Sequence, residues 1–355
     1  MSVTHVSVGP AAGWAAAAVA TVALIACAPG RTAADPVSDT EWISSAEESV
    51  TAPPRGWLER HQSADGSWDP DPAAHPCGCL DGDGAATIGR AGATGLALLS
   101  FLDQGDTHRS GRHASVVARG LRWLQSTQSA EGCFSGLPGS GRAREHALAA
   151  LAMAEAYAGT RSPLFRDSAR RGVEFALGLR GSEGAWGAGG PADPPDLEIT
   201  AWMTLLIRSG VDGELVAGLD AFDRVRAWID GNASLDGSRP GLVLLLHHLC
   251  GAGRGDPAVA RGRSLAMQAV PRWGGPGPEP DLASAYLGSV AMFGTSAGRP
   301  FPSGDPAWEP WYAGLKTLRW PAIPPEDCAA QSYGRGPRRL TDTALATMIE
   351  AFGYR

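Results

Sequence analysis

The sequence predicts an all-α repeat protein made of six helical hairpins in two concentric layers, the more apolar member of each hairpin lying inside. Three observations predict it. A turn motif recurs in a fixed frame, charged and nearly uniformly apolar helices alternate, and the units repeat about every fifty residues, the length of a helical hairpin with its loops. Glycine (47 residues) and proline (27 residues) fall between apolar blocks and not in a triplet period, so they read as many sharp turns and exclude a collagen-like chain.

The motif is clearest in two copies. Trp57-Leu58, three residues, then Gln62-Ser63-Ala64-Asp65-Gly66-Ser67-Trp68 is matched without a gap by Trp123-Leu124, three residues, then Gln128-Ser129-Ala130-Glu131-Gly132-Cys133-Phe134. In the same frame Phe175 leads to Glu183-Gly184 and Trp186, and Trp228-Ile229 leads to Asp236-Gly237. In all four copies the acidic residue and the glycine stand eight and nine positions after the aromatic. An apolar helix ends near the glutamine. The glycine can take the left-handed conformation that stops a helix and reverses the chain. The acidic residue suits the turn, and the next aromatic can pack back across the hairpin.

The helices before the turns read 55–62, 114–128, 164–179, 219–230, 263–269 and 308–318. They carry charge on one side, as with Arg166, Asp167, Arg170 and Arg171. The helices after the turns read 94–102, 145–158, 198–209, 241–250, 283–293 and 341–352. Several are apolar all round, as in Ala147-Leu148-Ala149-Ala150-Leu151-Ala152-Met153-Ala154, and a helix apolar on every side must be buried on every side.

The N-terminus differs from the rest. Residues 1–26 read as a signal peptide of lipoprotein type, 27–45 as a polar tether and 46–355 as the repeat domain. The apolar stretch 11–27 is short for a membrane span. It ends Leu24-Ile25-Ala26-Cys27, which resembles a bacterial lipobox. Acylated Cys27 would hold an exported domain at a membrane or in the cell envelope. The segment ahead of the apolar core carries His5 but no Lys or Arg. With a formal charge of −7 and no basic stripe interleaved with aromatics, the chain is not expected to bind nucleic acid.

The Trp-Leu-Gln-Asp-Gly-Trp pattern resembles the repeat of the prenyltransferase and squalene-cyclase superfamily, from about residue 50 to the C-terminus. It is most similar to small exported bacterial members that carry only such repeats. Residues 105–112, 146–157 and 340–354 add to the likeness. The resemblance implies an (α/α)6 toroid in which the glutamine and the aromatic tie neighbouring helices together. Gln62, Trp68 and Gln128 keep that pattern, Phe134 replaces the aromatic, and Arg180 replaces the glutamine of the third copy.

The superfamily's chemistry is less complete. Class II terpene cyclases protonate an alkene from an Asp-x-Asp-Asp-Thr-Ala motif. Asp196-Leu197-Glu198-Ile199-Thr200-Ala201 is the nearest match, with Glu198 at the donor position and Ile199 in place of the last acid. Protein prenyltransferases hold zinc with an Asp, a Cys two residues on and a distant His. Here Asp327 and Cys328 are adjacent, which breaks that spacing. His75, Cys77 and Cys79 are weak metal candidates and read first as loop thiols or disulfide partners. No cofactor is expected.

If all inner helices run the same way, their N-termini converge on one rim, which would carry Glu145, His146, Asp196, Glu198, Asp281, Thr341 and Asp342. Singly, such acids suit helix capping. Together they are the expected mouth for a cationic or polyhydroxyl ligand, to which the resemblance adds an isoprenoid. The sequence therefore reads as a membrane-anchored binding or scaffold module without chemistry of its own. The alternative is a divergent toroid enzyme acting on an isoprenoid, with Glu198 as proton donor, or on a polysaccharide. A centre plugged by the Ala- and Leu-rich helices is expected for the first. A deep aromatic cavity with Glu198 pointing inward is expected for the second.

Overall fold

The computed structural model describes residues 54–71, 88–217, 219–232, 235, 237–273, 280–296, 304–318 and 338–353. The signal peptide, the tether, Cys27, His75, Cys77, Cys79, Asp236 and Cys328 lie outside the described residues. Among those described, the chain is all-helical, with twelve α-helices and no strand. The odd-numbered helices are α1 (Pro54–Arg60), α3 (Ala114–Thr127), α5 (Pro163–Gly178), α7 (Leu219–Gly231), α9 (Pro257–Ala266) and α11 (Trp308–Leu315). The even-numbered ones are α2 (Arg90–Leu102), α4 (Arg142–Thr160), α6 (Leu197–Asp212), α8 (Pro240–Leu249), α10 (Leu282–Gly294) and α12 (Arg339–Glu350).

The two sets differ in burial as their composition requires. All of α2 after Arg90 is buried, and α4 contains the buried run from Ala147 to Ala154. The odd helices bury one stripe. In α3 it is Val116, Val117, Gly120, Leu121 and Leu124, spaced for one helix face, while Arg119 and Arg122 are exposed. The even helices pack in chain order: α2 on α4, α4 on α6, α6 on α8, α8 on α10 and α10 on α12. The last of them, α12, also packs on α2. The odd helices flank them, as α3 does with α2 and α4, α5 with α4 and α6, and α7 with α6 and α8. Small residues allow the close approach. A Cβ on Gly95 would lie 2.6 Å from the backbone of Ala149, and one on Gly241 would lie 2.9 Å from the Cα of Gly288.

One boundary departs from expectation. The pattern predicts a helix over 263–269, but α9 starts at Pro257, and 267–269 is a 3-10 turn. Asp256 caps α9 by accepting from the Ala258 N–H at 2.8 Å, and Pro257 occupies the first turn. The Gly-rich run just before it hides this start from a periodicity reading. Among the described residues, no helix is long and apolar enough to cross a membrane.

The repeat turn is a specific structure. Gly66, Gly132 and Gly184 take φ of +98°, +100° and +95°. Each donates its N–H to the carbonyl three residues back, at 2.9, 3.0 and 3.0 Å. A Cβ on Gly66 would lie 2.6 Å from the carbonyl oxygen of Arg119, and one on Gly184 would lie 2.7 Å from that of Arg224. At Gly132 the corresponding group is the carbonyl of Arg171. Each turn is thus pressed onto the next odd helix.

The glutamine fastens the same junction. Gln62 Nε2 donates to the Gly66 and Val116 carbonyls, both at 2.9 Å, and Gln128 Nε2 donates to the Gly132 and Ser168 carbonyls, both at 3.0 Å. The guanidinium of Arg119 donates to Gln62 Oε1, and that of Arg171 to Gln128 Oε1. In the third copy Arg180 reaches the next odd helix through Asp220 at 3.4 Å. The aromatics close the hairpin. Trp68 Nε1 donates to the Leu58 carbonyl and Trp186 Nε1 to the Ala176 carbonyl, each at 2.7 Å.

Gly132→Ala is expected to destabilise the fold by at least about 2 kcal/mol, because a Cβ must both adopt positive φ and clash with backbone. Gly136→Ala, where a Cβ meets open space, should change stability by less than about 0.5 kcal/mol. Urea unfolding followed by circular dichroism compares them.

Candidate functional site

The residues expected at a common rim all lie at or near the N-terminal ends of even helices, and most make structural contacts there. Glu145 is 2% exposed. Its Oε1 accepts from the Ala91 N–H at 3.0 Å, and its Oε2 accepts from Ser135 Oγ and from the Leu137 N–H at 3.3 Å. It therefore caps the neighbouring helix α2, not its own, with charge-assisted bonds to otherwise unpaired first-turn donors. A Cβ on Gly89 would collide with this carboxylate.

His146 is fully buried. Its Nδ1 accepts from the Phe134 N–H at 3.2 Å, and its Nε2 donates to the Gly172 carbonyl at 3.0 Å. That arrangement requires the neutral ring. Burial holds its pKa at about 4. In the other two copies a threonine takes the same place: Thr94 Oγ1 accepts from the Trp68 N–H at 2.9 Å and Thr200 Oγ1 from the Trp186 N–H at 3.1 Å. His146 and Thr200 are thus parts of the repeat turn, which corrects the expectation that His146 faces a ligand.

Asp196 caps α6, accepting from the Ile199 N–H at 2.8 Å. Asp281 caps α10, accepting from the Ala283 and Ser284 N–H groups, both at 3.3 Å, and it stays exposed. Asp342 pairs with Arg338 at 3.7 Å, and Thr341 Oγ1 donates to the Arg338 carbonyl at 2.8 Å. Glu198 is 8% exposed and sits between two cations. Arg239 binds its Oε2 at 3.1 Å, and Arg144 approaches its Oε1 at 3.5 Å. The structure thus brings Glu198 together with the N-terminal ends of α4 and α8. Both carboxylate oxygens are engaged by guanidinium groups from neighbouring helices, an arrangement that ties three helices together.

Sequence reasoning missed the arginine partners. Arg239 stands two residues after Gly237, the place held by Trp68, Phe134 and Trp186 in the other copies, so the fourth copy exchanges an aromatic for an ion pair. Arg119, Arg171 and Arg224 are also part of the repeat. The recurring Arg-Gly at 119–120 and 171–172 could have revealed the first two. Arg119, Arg171 and Arg224 each stand four residues before a motif aromatic, Trp123, Phe175 or Trp228, so the repeat frame itself carried the signal.

Aromatic side chains bridge even helices that are not neighbours in the packing order. Trp202 of α6, 2% exposed, stacks on Tyr286 of α10 with ring centroids 5.8 Å apart. These two helices are not consecutive in the packing order, since α8 contacts both. Tyr286 meets Phe352 at 6.2 Å, and Phe352 meets Phe293 at 5.8 Å. No protein-family model matches this chain, and no match was found among curated proteins.

The neutral His146 makes stability depend on pH. Its folded pKa lies below the unfolded value, so its contribution is complete above about pH 6.5 and is lost as pH falls towards about 4, up to about 3 kcal/mol. His146→Thr restores the side chain used by the other copies, and its unfolding free energy is expected to fall less than that of the parent chain as pH drops from about 6.5 to about 4. Urea titrations at a series of pH values provide the check.

Proposed function

We propose that this chain is an (α/α)6 toroid of the prenyltransferase and squalene-cyclase repeat type, exported and anchored through Cys27, that acts as a binding or scaffold module. The closed order of contacts, with α12 packed on α2, supports the toroid. So does the burial of the even helices between flanking odd ones. The observation that carries the functional reading is the aromatic bridge of Trp202, Tyr286 and Phe352 across non-consecutive even helices. A terpene-folding enzyme needs that volume for its substrate, and here side chains take it up. The engagement of Glu198 by Arg144 and Arg239 supports the same reading, because an alkene-protonating acid must present an unencumbered oxygen to its substrate. The anchor rests on the lipobox-like Leu24-Ile25-Ala26-Cys27.

Two measurements test the proposal. Incubated with polyprenyl diphosphates and with soluble polysaccharides, the protein is expected to return them unchanged by mass spectrometry. Turnover that Glu198→Gln abolishes would overturn the reading. In bacterial cells, the full-length chain is expected in the membrane fraction and Cys27→Ala in the soluble envelope fraction. An unchanged distribution would remove the anchor.

A further inference from the structure

Three junctions between N-terminal ends of consecutive even helices are closed by contacts that a fourth, between α8 and α10, does not have among the described residues. Between α2 and α4 the gap is closed by Glu145, with Leu137 packed against Gly89. Between α4 and α6, Ala143 donates to the Ala188 carbonyl at 3.0 Å and Arg144 meets Glu198. Between α6 and α8 the link is Glu198 with Arg239. Between α8 and α10 no such plug is present among the described residues. Ala285, the fourth residue of α10 as Glu145 is of α4, offers only a methyl group. Gly241 and Gly288 bring the two backbones together below it, against the ring of Trp311. What remains is an open cavity of about 270 Å³.

The lining decides what fits. Trp311, Val270 and Ala285 supply apolar wall. The indole N–H of Trp311 already donates to Ser289 Oγ at 3.0 Å, so the ring contributes surface and not a polar contact. Ser238, Arg239, Asp281 and Ser284 supply the polar lining. That set contains one cation and one anion. An anionic ligand would face Asp281, a cationic one would face Arg239, and a purely apolar one would desolvate both without a partner. A neutral molecule with hydroxyls on its edge and C–H groups on its face satisfies both kinds of wall. The volume lies just under the range of about 300–1,000 Å³ typical of pockets for larger ligands, which suits a single ring.

We propose that this cavity between α8 and α10 is a binding site for one neutral pyranose ring, the terminal unit of a glycan. The site rests on the binding-module reading and gives it a ligand class. Arg239 and Asp281 would contact ring hydroxyls while keeping their existing roles, the ion pair with Glu198 and the cap of α10.

The test uses the soluble 46–355 region together with the full chain in detergent, and saturation-transfer NMR with methyl glycosides of glucose, mannose, galactose and N-acetylglucosamine. At least one glycoside is expected to receive saturation from the protein. Ala285→Leu fills the cavity from within, and Ala269→Trp covers it from an exposed position. Each is expected to weaken binding at least tenfold. Loss in Ala269→Trp alone is sufficient support if the buried variant does not fold. No transfer to any of the four glycosides, or transfer undiminished in both variants, overturns the site. Failure of the site can be told from failure of the module reading. Retention of an insoluble polysaccharide that neither variant reduces leaves a binding module without this site. Hydrolysis of a glycoside to free sugar and methanol would instead end the non-catalytic reading.

Discussion

The contact between a turn glycine and the backbone of the next odd helix is the constraint on which the architecture depends. Gly66, Gly132 and Gly184 each leave just enough room for the carbonyl of Arg119, Arg171 or Arg224. An L side chain at those positions is excluded twice, by the left-handed backbone and by the approaching carbonyl. The glutamine or arginine preceding the turn then bonds the same junction from the side. The three hairpins with these turns are therefore each positioned by the next odd helix. This is the behaviour expected of a repeat array, in which neighbouring units supply most of the stabilising interface.

Placement of the polar groups follows from that packing. The first-turn N–H groups of the even helices have no partner within their own helix, and several find protein acceptors. Asp196 and Asp281 cap their own helices, whereas Glu145 caps the neighbour. A carboxylate at such a position serves the backbone first. His146 shows the same economy, with both ring nitrogens bonded to backbone groups and the ring kept neutral by burial. Glu145, Asp196 and Asp281 are all fastenings of helix ends.

The junction of α12 with α1 and α2 uses different interactions. The first and last helices meet at α1, α2 and α12, where Gln104 donates to the Thr347 carbonyl at 3.1 Å. Arg55 of α1 binds Asp106 at 3.3 Å, and Asp106 also meets the His113 ring at 2.8 Å. Burial pushes the Glu350 carboxyl up to about 7, against the attraction of Arg55. Here a charged cluster, Arg55 with Asp106 and His113, stands beside the helix contacts.

The sequence by itself determined the helical class, the alternation of striped and fully apolar helices, and the turn at Gly66, Gly132 and Gly184. These depend on periodicity and on local backbone conformation, which are encoded within a few residues. It offered capping for every rim acid alike, and for Asp196 and Asp281 that reading holds, because a cap and its helix are contiguous. It could not determine that Glu145 caps α2, that Arg144 and Arg239 flank Glu198, or that Trp202 stacks on Tyr286. Those partners are separated by some forty residues or more, and their meeting depends on how the helices pack. Only the tertiary structure decided that the N-terminal ends of α8 and α10 border a cavity. A methyl group at Ala285 means nothing until the neighbouring helix arrives beside it.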